Sequence, residues 1–144
     1  MTITLGAGQL VTLAGGVLIV VSAWLDWIRP SRPFGPAMGF SAYDVPAQFL
    51  FRNRGLFESR SGPSLGLVIF VIGVVCVMAA LVRPVGFLAL LAGVGSTAFA
   101  IWYVVRLRDF ADSTFRDLVG VGALVAAVGG VAAIVGGILT LSRR

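Results

Sequence analysis

Four apolar stretches without a single charged residue, at about 5–25, 64–82, 85–105 and 118–141, fill most of this 144-residue chain. A helix rises about 1.5 Å per residue, so about 20 apolar residues cross a hydrocarbon core of about 30 Å. Each stretch is long enough. The pattern predicts an all-α fold: an integral membrane four-helix bundle forming one domain over residues 1–144. Its mean hydropathy of +1.02 agrees. The first loop, about 26–63, is long and is expected to be partly ordered.

Four of the six prolines, Pro30, Pro33, Pro36 and Pro46, lie in the loop ahead of the Ser61-Gly62-Pro63 turn. The spacing of the first three favours extended backbone. Ser41 to Asp44 offers capping oxygens ahead of Pro46, which predicts a short interfacial helix over Val45–Arg52. Ser61-Gly62-Pro63 reads as the start of the second span, with Pro63 at the first helical position. Eight aromatics from Trp24 to Phe57 mark the loop as a docked cap, since flexible linkers are poor in such rings. Arg83-Pro84 leaves almost nothing between spans two and three, which must form an antiparallel hairpin. Thr114 and Asp117 have the spacing of a reciprocal cap for the fourth helix. At the N-terminus, Val21-Ser22-Ala23 resembles a cleavage site, but Met1–Val11 carries no Lys or Arg, so the first stretch is read as a retained helix.

Small residues supply the packing signal. Gly122, Ala126 and Gly130 recur every fourth residue, as do Gly129, Ala133 and Gly137 on an adjoining face. Between lipid-solvated helices, close backbone approach and dispersion take over from the hydrophobic drive. Two such faces on one helix predict two neighbours, in the bundle or in another subunit. Gly66/Gly73 and Gly86/Gly93 fit packing within the second and third span hairpin.

All eleven basic residues are Arg, and the chain has neither Lys nor His. Cationic side chains at span ends face anionic headgroups, which argues against nucleic acid as a partner. Arg52, Arg54, Arg60, Arg106, Arg108 and Arg116 are candidate headgroup contacts. Trp24, Trp27, Trp102 and Tyr103 are candidate interfacial anchors. Asp109, Asp112 and Asp117 lie among arginines at helical spacing and read as ion pairs and caps rather than metal ligands. Without His there is no imidazole base and no zinc site of familiar ligands; Cys76, alone in an apolar helix, is a poor nucleophile. Ser22, Thr12, Ser96 and Thr97 are expected to bond back to their own helices. No cofactor, metal or catalytic residue is expected. A transporter should carry polar residues or broken helices within its spans, and neither is evident.

The arginine-only, Val/Ala/Gly-rich composition suits a high-GC bacterium. The chain resembles the small four-span membrane proteins of unassigned function found in actinobacteria. Its topology, with Trp24-Leu25-Asp26-Trp27 before a long first loop, is also similar to that of claudin-like proteins. It lacks their paired loop cysteines, so no functional residue is carried over. The resemblance implies an auxiliary subunit of a larger membrane assembly, such as a transporter or respiratory complex. Its expected partners are lipids and other integral membrane subunits. The alternatives are a small homo-oligomeric transporter or channel, a headgroup-binding membrane protein, or a lipid-directed enzyme. The first and third loops carry eight Arg against three on the other side, which by the positive-inside rule puts the long loop in the cytoplasm. The resemblance implies the reverse. We adopt the latter: a multi-pass protein of the bacterial plasma membrane with both termini cytoplasmic.

Overall fold

The structure, a computed structural model, describes residues 5–28, 40–47, 62–82, 86–111 and 119–142. Four helices pack together: α1 (Ala7–Ser22), α2 (Leu65–Leu81), α3 (Gly86–Ala111) and α4 (Val121–Ser142). The two long ones, α3 and α4, are long and apolar enough to cross a membrane. α1 and α2 have 16 and 17 residues, shorter than the stretches read from sequence.

Helix neighbours run in chain order around a square. α4 packs most extensively, on α1 and on α3, while α2 packs on α1 and least on α3. Paired close approaches run in opposite order along each seam, Gly16 to Val77 with Gly73 to Val20, Gly8 to Gly136 with Gly15 to Gly129, and Gly86 to Gly137 with Gly93 to Gly130, so neighbouring helices are antiparallel. The α2–α3 hairpin is therefore present, yet it is the thinnest of the four seams.

Local chemistry explains where the helices start and stop. The Gln9 side chain accepts from the Gly6 N–H at 3.0 Å and closes the start of α1. At its other end the chain tightens through Ala23 N–H to Val20 O (3.2 Å) and Trp24 N–H to Val21 O (3.1 Å). Ser64 caps α2, its hydroxyl accepting from the Leu67 N–H at 3.2 Å. Pro63 thus stands ahead of the cap rather than at the first helical position. α4 begins at Val121; Thr114 and Asp117, the expected reciprocal cap, lie outside the described residues.

At one end of the bundle, β1 (Asp26–Ile28) pairs antiparallel with β2 (Phe40–Ser41), and Ile28 bridges on to Val119. A 3-10 turn, Ala42–Asp44, follows. Asp44 Oδ2 accepts from both the backbone N–H and the hydroxyl of Ser41, each at 3.0 Å. Ser41 and Asp44 therefore cap this turn, not a helix beginning at Val45. Val45 is extended instead, because the chain pairs with the start of α2. Leu65 N–H donates to Val45 O at 2.7 Å, Ala47 N–H donates to Pro63 O at 3.1 Å, and Pro46 bridges Ser64. Residues 48–52 of the expected interfacial helix lie outside the described residues.

Candidate functional site

Trp27 is the centre of the capped end. Its ring is fully buried, and its indole N–H donates to Ser22 O at 2.7 Å, folding β1 back over the end of α1. Its carbonyl accepts twice, from the Gly120 N–H at 2.8 Å and from the Tyr103 hydroxyl at 3.1 Å. The Tyr103 ring meets the indole edge-on at 5.0 Å between centroids. Gly120 has no room for a side chain, because a Cβ there would collide with the Asp26 carbonyl oxygen. Gly122 lies directly under the indole. One residue thus ties the cap to α1, α3 and the approach to α4.

The four anchor candidates divide. Trp24 (57% exposed) and Trp102 (49%) face outward, whereas Trp27 and Tyr103 are wholly inside. Trp24 meets Tyr43 at a tilt and Phe70 edge-on, centroids 5.6 and 5.5 Å away, in an aromatic cluster on the outer surface. Sequence spacing offers no means of telling the outward pair from the inward pair, since each sits at the end of an apolar stretch.

Along the bundle the seams are built from glycine facing glycine. On α1–α4, Gly8 meets Gly136 and Gly15 meets Gly129; on α3–α4, Gly86 meets Gly137 and Gly93 meets Gly130. A Cβ on Gly93 would lie 2.7 Å from the Gly130 carbonyl oxygen, and one on Gly130 would lie 2.9 Å from that of Gly93. All six residues singled out on α4 are buried, but they sort differently from the four-residue reading. Gly122, Gly129 and Gly136 form one row at seven-residue spacing, toward Trp27 and α1. Gly130 and Gly137 form a second, toward α3. Ala126 gives its carbonyl to α3, and the Ala133 backbone approaches Gly15 of α1. Gly136 belongs to the set and was missed; its spacing from Gly129 is the signal. Gly66 and Gly73 contact Tyr43 and Val20, and Gly86 and Gly93 contact α4, so neither pair lies in the α2–α3 seam.

Four hydroxyls within the bundle are all partnered, those of Thr12, Ser22 and Ser96 buried and that of Thr97 half-buried. Thr12, Ser22 and Thr97 donate to Gly8 O, Ile19 O and Gly93 O of their own helices, at 2.9, 2.6 and 2.9 Å. Ser96 departs from this and crosses to the Ala126 carbonyl of α4 at 3.1 Å. Cys76 also crosses, its thiol 3.7 Å from the Thr12 carbonyl oxygen of α1. Among the described residues no buried side-chain nitrogen or oxygen lacks a partner, and no three His, Cys, Asp or Glu gather as metal ligands.

Of the arginine set, Arg106 and Arg108 lie in the last turns of α3, with the Arg106 guanidinium carbon 5.5 Å from the Trp102 ring centroid. Arg52, Arg54, Arg60 and Arg116 lie outside the described residues, as do Asp112 and Asp117, while Asp109 is exposed.

These features define a class: a small, antiparallel, glycine-packed four-helix bundle closed at one end by a folded cap. Comparison with protein-family models, curated proteins and solved structures finds no match to this chain.

Proposed function

We propose that this chain is a four-span integral membrane protein acting as an accessory subunit that stabilises or regulates a larger membrane complex. The observation that carries the membrane part is the inverted distribution of side-chain size. Every buried residue of α4 is Gly or Ala, while Leu124, Val128, Val131, Val135 and Ile138 are exposed. α1 and α2 likewise turn Leu10, Val17, Val21, Val71, Val74 and Met78 outward. In water a bundle gains by burying its large apolar side chains; in lipid it gains by bringing backbones together and leaving those chains to the acyl phase. Helices that are apolar all round belong to the second solvent.

The accessory role is supported by an interior closed by small residues along α4 and by packed rings at the cap, with its buried hydroxyls internally satisfied. That leaves the outer surface and the cap as the places where other molecules meet the protein. Both termini are placed in the cytoplasm and the cap outside.

Affinity purification in a mild detergent followed by mass spectrometry tests the role. A larger membrane protein should co-purify at a fixed ratio. Recovery of a clean monomer or homo-oligomer across several detergents would overturn the accessory reading and favour a small transporter. Reporter fusions at the C-terminus test the orientation, which fails if the fused domain is active only outside the cell.

A further inference from the structure

We propose that the outer face of α3 binds one anionic phospholipid, its phosphate on Arg106 and an acyl chain lying over Gly95. This inference rests on the membrane reading above. Leu88, Leu91, Gly95, Ala98, Trp102 and Arg106 follow one another at helical spacing of three and four residues, so they share one stripe of α3. Leu88, Leu91 and Trp102 stand out from it, 43%, 49% and 49% exposed.

Gly95 makes a gap between them. Gly8, Gly15, Gly86 and Gly93 face backbone or side chain of a neighbouring helix, whereas a Cβ on Gly95 would have no atom within 4 Å. Internal packing therefore gives no reason for glycine there. A gap flanked by large apolar side chains fits the methylene chain of a lipid.

The stripe ends in charge. The Arg106 guanidinium sits over the Trp102 ring at 5.5 Å, a pairing that holds the cation on the surface at the end of the apolar segment. Gly95 and Arg106 are eleven residues apart, about 16 Å along the axis, within reach of an acyl chain hanging from a phosphate bound at Arg106. A planar guanidinium donates paired hydrogen bonds to phosphate oxygens, and a net negative headgroup complements it better than a zwitterion.

The test reconstitutes the full chain in nanodiscs of equimolar phosphatidylglycerol and phosphatidylcholine, releases it, and reads retained lipid by native mass spectrometry. Wild type should retain one phosphatidylglycerol in preference to phosphatidylcholine. Arg106→Gln should lower that retention about tenfold, with Arg106→Lys intermediate. Gly95→Leu, with the charge intact, should lower retention by filling the gap. Equal retention of both lipids by wild type, or unchanged retention by both Arg106→Gln and Gly95→Leu, overturns the site. A Gly95→Leu protein that changes oligomeric mass without losing lipid also overturns it, assigning the face to a second copy. A chain found in the aqueous fraction of cells overturns the membrane reading itself, and is thereby distinguished from a membrane-bound chain without lipid preference.

Discussion

Gly15 and Gly129 each occupy the space where the other would place a side chain. A Cβ on Gly15 would lie 2.6 Å from the Gly129 carbonyl oxygen, and a Cβ on Gly129 would lie 2.8 Å from that of Gly15. Neither obstacle is a flexible side chain, so a methyl group can be admitted only by moving one helix off the other. Gly129→Ala or Gly15→Ala should cost about 1–3 kcal/mol through overpacking. Gly130→Leu and Gly137→Leu should break the α3–α4 seam in the same way. Gly95→Ala is the control: with open space around it, the change should be neutral or stabilise by up to about 1 kcal/mol through helix propensity. Thermal unfolding of purified variants in one detergent decides. Equal stability of all five would mean that these seams contribute nothing.

Trp27 and Tyr103 form the second testable unit. Trp27→Ala removes a fully buried indole from beneath the cap and should cost about 3–5 kcal/mol. Tyr103→Phe keeps the ring contact and removes the 3.1 Å hydrogen bond to Trp27 O, an expected loss of about 0.5–1.5 kcal/mol. A double-mutant cycle of Trp27→Ala with Tyr103→Ala should show coupling, since either change alone removes the edge-on ring contact between them. Strict additivity would dissolve the unit.

Ser96 holds α3 to α4 through the Ala126 carbonyl. Ser96→Ala should lower stability by about 0.6 kcal/mol, the typical size of an interhelical hydrogen bond within a membrane. Chemical denaturation in mixed micelles has the resolution for such a shift. An increase in stability would show that the hydroxyl is tolerated rather than used.

Cys76 is fully buried between α2 and α1, facing the Thr12 carbonyl. It should resist a maleimide reagent in the folded protein and react fully once the chain is unfolded in SDS. Gly16→Leu, placed against Val77 and the Cys76 Cβ, should expose it without denaturant. Rapid labelling of the native protein would contradict the α1–α2 packing.

Helix number, apolar character and the small-residue content of α4 were all decided by the sequence, because uncharged runs of that length have few other ways to satisfy their backbone. Which glycine faces which helix was left to the tertiary structure. At about 100° per residue, positions four and seven apart both fall near the same line on a helix, about 40° to one side and about 20° to the other. The residues Gly122, Ala126 and Gly130 are therefore as legible as a face as Gly122, Gly129 and Gly136 are, and only the neighbouring helices select the second. The same holds for Trp24 against Trp27 and Trp102 against Tyr103: each pair ends an apolar stretch with an aromatic ring, and local chemistry does not separate them. The fold of the cap separates them, because the Ser22 carbonyl takes the Trp27 indole N–H and the Trp27 carbonyl takes the Tyr103 hydroxyl. Those partners lie on segments distant in sequence, so the choice between inside and outside is made only when the chain closes on itself.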